Sequence, residues 1–297
     1  MSETQQALTS DMTKPLDEKA LVWLQAQARG GARPKALSTA LVNQGYPRKA
    51  VEQAVNSAYG AMMQGMQTKP RTGPAYEYDP CPVLRVPRIF AADREVTVRM
   101  RLERPQLQVF DSVMSPEECR TLIEFARPRL SRSMVQTKGG GEALQVPTRT
   151  SEGTFIRPDE HPLVRQIDLR LASLMNWPVE NGEALYVMRY LPGEEFRQHM
   201  DYFEVLDESE RAWGPRVATL ITYLNPVEAG GETEFPAIGL SVTPNPGSAV
   251  YFRYGNAKGQ LDQLTLHAGK PVIRGEKWVA TRWMRARACN AGLSRTY

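Results

Sequence analysis

From about residue 96 onward, the chain consists mainly of short runs rich in β-branched and aromatic residues, separated by turn-forming residues, which is typical of β-strands. The runs do not alternate with helical segments as parallel βαβ folds require, and no glycine-rich phosphate loop lies among them. Two helical patterns interrupt the series, at residues 115–130 and 161–177. The sequence therefore predicts a mainly β fold with flanking helices, arranged as a sandwich or barrel. The strand-like runs are VTVRMRL, QLQVF, ALYVMRY, RVATLITYL, GSAVYF, LTLHAG, KPVIRG and KWVATRWM.

The first 66 residues have a different pattern, in which apolar residues recur at helical spacing. Pro34 and Pro47 stand where helices would begin, and Gly45 stands where one would end. We expect a small three-helix domain at residues 1–66, with binding of a protein partner as its candidate role. A linker or extended arm rich in proline follows at 67–88, and the main domain covers 89–297. The three apolar stripes are Leu21, Val22, Leu24 and Ala28; Leu37, Ala40 and Leu41; and Val51, Ala54, Val55 and Ala58.

The composition argues against a nucleic-acid or membrane partner. The net charge is +4, and the Lys and Arg residues are spread along the chain rather than clustered in a run. The three cysteines are far apart and form no C-x-x-C pair, which argues against a zinc ribbon or a disulfide framework. No apolar run of about eighteen residues occurs, and no secretory signal pattern is present. We expect a soluble, cytoplasmic protein in a reducing compartment, with no nucleic acid and no membrane as partners.

The stretch FRQHMDYF, residues 196–203, holds one of only three histidines. In an extended strand His199 and Asp201, two residues apart, point to the same face. A second histidine, His267, ends the strand-like run LTLH. Two imidazoles and one carboxylate on one face are a common ligand set for Fe(II) in oxygen-activating enzymes. The third histidine, His161, precedes a proline and is expected to cap a helix rather than bind a metal.

A lysine occupies an unusual position in the strand-like run KWVATRWM. Alternation places Lys277 on the same face as Val279, Thr281 and Trp283. Because burial of an unpaired ammonium group is costly, a lysine on such a face would be expected to meet a dicarboxylate ligand inside a barrel. The alternative is a lysine on an edge strand that faces water.

Five blocks of the sequence, in order, closely resemble the prolyl 4-hydroxylase family of Fe(II)- and 2-oxoglutarate-dependent dioxygenases. The resemblance covers residues 105–288 and leaves out the N-terminal 66 residues. The matching blocks are RTSEGTF (149–155), ENGEALYVMRYLPGEEFRQHMDYF (180–203), RVATLITYLNPVEAGGETEFP (216–236), PNPGSAVYF (244–252) and LHAGKPVIRGEKWVATRWMR (266–285).

This resemblance implies a double-stranded β-helix, also called a jelly roll, for the catalytic domain. It implies that His199, Asp201 and His267 bind Fe(II), and that Lys277 pairs with the distal carboxylate of the cosubstrate 2-oxoglutarate. These four residues form the implied catalytic set, with O2 as the oxidant and ascorbate as a candidate further cofactor. The other residues implied to line the cosubstrate pocket are Tyr190, Thr281 and Trp283.

The resemblance also implies a set of substrate contacts. Acid and base groups at the positions of Glu183 and Arg216 help to shape the substrate site in family members that bind peptidyl proline. A loop with three glycines, Gly139–Gly141, would close over the substrate, with Arg149 and Ser151 as candidate contacts near its end. Several prolyl hydroxylases carry a tyrosine three residues before the first iron histidine, whereas this chain has Phe196 and lacks that hydroxyl.

The implied function is Fe(II)- and 2-oxoglutarate-dependent hydroxylation of proline in a protein or peptide, with succinate and CO2 as coproducts. The helical domain favours a macromolecular substrate, since a small molecule needs no docking domain. Two alternatives stay open: a hydroxylase of a free amino acid or other small molecule, and a non-catalytic interaction or sensor protein on the same fold. The intact set of His199, Asp201, His267 and Lys277 argues against the last alternative.

Overall fold

The computed structural model describes residues 16–29, 34–67, 75–133, 148–203 and 208–289. The chain divides by its internal contacts into two compact units, Met1–Pro74 and Ala75–Tyr297. Their boundary falls inside the segment predicted as a linker or arm. The described ranges contain no helix that is long and apolar enough to cross a membrane. The glycines at 139–141, predicted to form a loop over the substrate, lie outside the described residues.

Three helices make up the described part of the N-terminal unit. Ala20 and Leu24 of the first helix are buried, whereas Leu21 and Val22 are 38% and 61% exposed. The predicted apolar stripe of this helix was therefore wrong at two positions, because the buried face recurs every four residues from Leu16 through Ala20 to Leu24. The three helices are α1 (Glu18–Arg29), α2 (Pro34–Asn43) and α3 (Arg48–Gln67), and their other buried residues are Leu37, Leu41, Val51 and Val55.

The C-terminal unit is mainly β, and its strands pair antiparallel throughout the described residues. The strands are β1 (Arg88–Ala91), β2 (Arg94–Glu103), β3 (Gln106–Asp111), β4 (Ser131–Arg132), β5 (Glu152–Ile156), β6 (Leu185–Tyr190), β7 (Phe196–His199), β8 (Arg216–Tyr223), β9 (Ala229–Gly230), β10 (Thr233–Phe235), β11 (Leu240–Val242), β12 (Ala249–Arg253), β13 (His267–Gly269), β14 (Val272–Arg274) and β15 (Lys277–Arg285). A nine-stranded sheet has the order β1-β2-β3-β12-β8-β15-β6-β5-β4, a four-stranded sheet the order β11-β10-β13-β7, and β14 pairs with β9.

The large sheet buries both of its faces, in two separate cores. Helices α4 (Pro116–Ala126) and α5 (Pro162–Met175) cover one face, where Leu122 and Leu171 pack against strand residues such as Leu220. The other face packs against the four-stranded sheet, where Tyr190 and Phe235 share a core. A short helix, α6 (Glu208–Trp213), precedes β8. Because side chains alternate along a strand, one strand supplies both cores, and the candidate site lies in the core between the sheets.

Helices α4 and α5 begin at the positions where the sequence predicts helical segments. Ser115 accepts a hydrogen bond from the Glu118 amide, and the Glu118 carboxylate accepts one from the Ser115 amide, which completes a capping box. His161 is the N-cap of α5, and its Nδ1 accepts a hydrogen bond from the Leu163 amide at 3.2 Å. The expected capping role of His161 is therefore confirmed, and this histidine is engaged away from the other two.

The segment at residues 75–87 contains no helix or strand but is held against the β unit by polar contacts. The Tyr78 hydroxyl donates to the Asp262 carboxylate at 2.7 Å, and Arg253 pairs with Asp79 at 2.8 Å. This part of the predicted linker or arm is thus an extended strap on the β unit.

Candidate active site

The two distant histidines meet because strands β7 and β13 pair. His199 is the last residue of β7 and His267 the first of β13, and the two are direct partners in the antiparallel register. Their ring centroids lie 4.2 Å apart. The expectation that His267 ends a strand was wrong, because Gln263–Thr265 forms a 3₁₀ turn capped by the Asp262 side chain, and the strand starts after it.

Asp201 completes a compact group with the two imidazoles. Its Oδ1 lies 3.4 Å from His199 Nε2, and its Oδ2 lies 3.8 Å from His267 Nε2. One ligand atom from each of the three residues can be chosen so that all lie within 4.8 Å of one another. The sequence prediction that these three side chains converge therefore agrees with the geometry, and the group has the composition of a two-histidine, one-carboxylate metal site.

Both imidazoles are oriented so that Nε2 faces the carboxylate. His199 Nδ1 lies 2.8 Å from the Arg197 carbonyl oxygen, and His267 Nδ1 lies 3.0 Å from the Thr265 carbonyl oxygen. Since a carbonyl oxygen only accepts, each Nδ1 carries the proton and each Nε2 keeps its lone pair free to bind a metal. Burial lowers the pKa of His267 to about 4, so that its imidazole is neutral at pH 7.

The Asp201 carboxyl group is held as a carboxylate. Burial acts to raise its pKa, but the neighbouring imidazoles and a hydrogen bond from the Thr219 hydroxyl outweigh burial and place the pKa well below the usual range. An ionised carboxylate beside two imidazole nitrogens is a donor set suited to a divalent cation.

A buried lysine lies at the other end of the same pocket. Lys277, only 4% exposed, is the register partner of Tyr190 in the β15–β6 pair. Its Nζ lies 5.5 Å from the ring centroid of Tyr190 and 5.7 Å from that of Tyr223. Within the residues described it has no ion pair or hydrogen bond, and burial lowers its pKa to about 8, with a partly compensating effect of Glu232.

The same pocket also has unsatisfied donors further along β15. The Thr281 hydroxyl and the Trp283 indole nitrogen are buried and have no hydrogen-bond partner in the described part of the chain. Both side chains line the pocket, as alternation along β15 predicts. A buried cation in a pocket that also has free donors fits a small molecule bearing a carboxylate, and Lys277 does not face water as an edge-strand lysine would.

The predicted substrate residues divide into two groups. Arg149 and Phe196 line the pocket. The Phe196 ring stacks on the His199 ring with centroids 3.5 Å apart. The Arg149 guanidinium lies over the Phe196 ring, 4.7 Å from its centroid. The remaining residues, Ser151, Glu183 and Arg216, lie outside the pocket lining.

Those three residues are engaged with other polar groups. The Ser151 hydroxyl donates to Ser133 at 3.0 Å. The Glu183 carboxylate accepts two hydrogen bonds from Arg216, at 2.6 and 2.7 Å, and the Arg216 guanidinium lies 4.1 Å from the ring centroid of Trp283. The roles of Ser151, Glu183 and Arg216 in substrate binding stay predictions.

Sequence reasoning missed several residues of the pocket wall. Alternation along RVATLITYL could have placed Ile221 on the inner face, but nothing in the sequence indicates which residues of other strands lie opposite it. The residues missed are Met188, Ile221, Thr233 and Gly269.

The comparisons with known proteins agree with this geometry. A family model described as the 2OG-Fe(II) oxygenase superfamily matches residues 185–285. Probable prolyl 4-hydroxylase 10 of Arabidopsis thaliana is 37% identical over 201 residues, and the match covers 61% of this chain and 69% of that protein. Prolyl 4-hydroxylase 1 of the same plant is 39% identical over 199 residues, with 62% and 70% covered.

The chain belongs to the prolyl 4-hydroxylase family. It is therefore a 2-oxoglutarate-dependent dioxygenase, and the family implies Fe(II), 2-oxoglutarate and O2. Among solved structures, a viral collagen prolyl hydroxylase from Paramecium bursaria Chlorella virus-1, in complex with 2-oxoglutarate, is 30% identical with a TM-score of 0.49, covering 61% of this chain and 95% of that one. Residues 185–285, which the family model matches, include both histidines, Asp201 and Lys277.

Proposed function

We propose that this dioxygenase hydroxylates proline in a protein or peptide, with His199, Asp201 and His267 as the ligands of Fe(II). The observation that carries the proposal is the position of these three groups in one pocket with Lys277, which has no ion pair within the described residues, in a chain similar to prolyl 4-hydroxylases along these same strands. The sheet order, in which the strands pair antiparallel and enclose a pocket, supports a double-stranded β-helix.

Each residue has a defined task in this account. The iron supplies, when bound, the oxidising chemistry that couples decarboxylation of 2-oxoglutarate to hydroxylation of a C–H bond. Lys277 binds and orients the distal carboxylate of 2-oxoglutarate, beside Tyr190, Thr281 and Trp283. The lost carboxyl group leaves as CO2, and succinate remains at the lysine.

The proposal includes roles for the pocket wall formed by Phe196 and Arg149. Phe196 stacks on His199, Arg149 lies against the Phe196 ring, and together they form the apolar and cationic side of the pocket against which the substrate would pack. The relatives named prolyl 4-hydroxylase support proline as the residue that enters there. Ascorbate as a further cofactor, a cytoplasmic location and a partner-binding helical domain stay predictions.

The test is a turnover assay on the full chain with Fe(II), 2-oxoglutarate and ascorbate. Proline-rich peptides, the same peptides with alanine in place of proline, and free proline are compared for succinate release and for the gain of one oxygen atom by mass spectrometry. We expect release and oxygen gain with the proline peptides alone. Stimulation by free proline but by no peptide would favour a small-molecule hydroxylase, and stimulation by neither would favour a non-catalytic protein.

A further inference from the structure

The carboxylate of Asp201 is held by a side chain that the assigned ligand set does not include. Thr219 lies in β8, is fully buried, and donates a hydrogen bond from its hydroxyl to Asp201 Oδ2 at 2.7 Å. The other carboxylate oxygen, Oδ1, is the one that lies 3.4 Å from His199 Nε2. Thr219 thus contacts Oδ2, which also lies 3.8 Å from His267 Nε2, and makes no contact with Oδ1 beside His199.

A second hydroxyl continues the chain of hydrogen bonds. The hydroxyl of Tyr254, which is fully buried, lies 3.1 Å from the Thr219 hydroxyl oxygen. A carboxylate can only accept a hydrogen bond, so the Thr219 hydroxyl uses its single hydrogen to donate to Asp201. The Tyr254 hydroxyl must then donate to Thr219, and the order of donation is Tyr254 to Thr219 to Asp201.

Asp201 needs such a support because no strand pairing fixes it. Strand β7 ends at His199, and Asp201 lies in the bend that follows. Its backbone carbonyl accepts a hydrogen bond from Arg216 at 3.3 Å, which fixes the main chain but not the rotation of the carboxylate. Among the described side chains outside the ligand set, Thr219 is the partner that limits this rotation.

We propose that Thr219 and Tyr254 are positioning residues that hold Asp201 so that it offers one oxygen, Oδ1, to the metal. This inference rests on the proposed function, because it assumes that Asp201 is a metal ligand. Partners that orient metal ligands typically change metal affinity by about 10- to 100-fold when they are removed. The inference concerns the arrangement of the carboxylate before any cosubstrate binds, so that metal binding alone can test it.

The same strand provides a matched control. Thr222 lies three residues further along β8, is also fully buried, and its hydroxyl has no hydrogen-bond partner among the residues that the structure describes. Its side chain points to the opposite face of the sheet. Thr222→Val therefore makes the same chemical change in the same strand and removes no hydrogen bond.

The experiment is an anaerobic titration with Co(II) as the probe, followed by visible absorption and calorimetry, on the full chain. We expect Thr219→Val to weaken Co(II) binding by about tenfold or more and to alter the absorption spectrum. Thr219→Ser, which keeps the hydroxyl, is expected to bind as the wild type does. Tyr254→Phe is expected to cause a smaller loss of Co(II) affinity than Thr219→Val, and Thr222→Val is expected to cause none.

The outcomes separate this inference from the proposed function. If the wild type binds no Co(II), or if Asp201→Ala binds Co(II) as tightly as the wild type, the proposed function fails. The positioning role is overturned if the wild type binds Co(II) through Asp201 but Thr219→Val binds it equally well. It is also overturned if Thr222→Val loses as much Co(II) affinity as Thr219→Val. Should Thr219→Val fail to fold, Tyr254→Phe decides: wild-type affinity and an unchanged spectrum in that variant would overturn the proposal.

Discussion

The histidine end of the pocket, formed by His199, Asp201 and His267, and its lysine end, formed by Lys277, satisfy their charges in different ways. At the histidine end, each ligand is already oriented by a group of the protein: two backbone carbonyls and the Thr219 hydroxyl. At the lysine end, the ammonium group is buried and has no anionic partner within the described chain. Under the proposed function, the difference teaches that the groups at the histidine end are oriented before a metal binds, whereas the lysine is left to be neutralised by the cosubstrate.

Removal of a ligand at the histidine end should have the largest effect. We expect Asp201→Ala to reduce succinate release by about a thousandfold or more, since several kcal/mol of metal-dependent stabilisation are lost. His161→Ala is the control, because this histidine caps α5. It should keep its turnover and lose only about 1 kcal/mol of stability. An equal loss of succinate release in Asp201→Ala and His161→Ala would contradict the assignment of the metal ligands.

Lys277→Met should change binding and stability in opposite directions. The KM for 2-oxoglutarate is expected to rise about 100-fold, because the carboxylate loses its buried partner. The cosubstrate-free protein should become more stable, since an unpaired buried charge is removed. Lys270→Met, at an exposed lysine that pairs with Glu234, is the control and should leave the KM unchanged. A destabilised Lys277→Met variant with an unchanged KM would show that the two ends do not differ as described.

The pH dependence of stability sharpens the same contrast. The pKa of Lys277 is about 8 in the folded protein, compared with an ordinary value of 10.5. Between these values the unfolded chain binds more protons, so the stability of the wild type should rise with pH relative to Lys277→Met. The full difference, up to about 3 kcal/mol in favour of the variant, is present below pH 8 and disappears toward pH 10.5. Urea unfolding at several pH values measures it, and a pH-independent difference would contradict the burial of a charged lysine.

Phe196→Tyr tests the outer side of the histidine end. The ring stack on His199 can be kept, so we expect Co(II) affinity to stay unchanged. The added hydroxyl can form one hydrogen bond with a bound peptide, which would lower the KM for a proline peptide by about fivefold. Peptide titration of the turnover rate is the measurement. An unchanged KM would show that the missing hydroxyl does not affect substrate choice.

Tyr78→Phe should have the smallest effect. The Tyr78 hydroxyl donates a hydrogen bond to Asp262, and Asp262 caps the turn Gln263–Thr265. The Thr265 carbonyl oxygen at the end of that turn accepts the hydrogen bond from His267 Nδ1. We expect a loss of about 1 kcal/mol of stability and no more than a small change in Co(II) affinity. Tyr76→Phe, for which no hydroxyl hydrogen bond exists in the described residues, is the control. A loss of affinity as large as that of Thr219→Val would show that His267 depends on the strap rather than on its own turn.

The sequence predicted those parts of the site that follow from local periodicity. Alternation placed Lys277, Thr281 and Trp283 on one face, and all three line the pocket. His199 and Asp201 lie close together as predicted, although Asp201 lies in the bend after β7 and not in the extended strand that the prediction assumed. These features depend on two-residue and helical periods that short segments already contain.

The parts that escaped prediction depend on pairing between distant segments. Thr219 is one of two threonines in its strand, and only the packing of β8 beside the bend after β7 reveals its contact with Asp201. The start of β13 at His267 depends on the cap formed by Asp262. In the first helix, Val22 fits an apolar stripe but is exposed, because the choice of buried face is made by the neighbouring helices.

The most direct test of the account is a crystal structure of the protein with Mn(II) in place of Fe(II) and with 2-oxoglutarate, grown without oxygen. Anomalous scattering should show one manganese ion bound by Nε2 of His199, Nε2 of His267 and Oδ1 of Asp201. The distal carboxylate of 2-oxoglutarate should lie on Nζ of Lys277. A metal elsewhere, or a carboxylate turned away from Lys277, would contradict the central claim that one pocket joins the two ends.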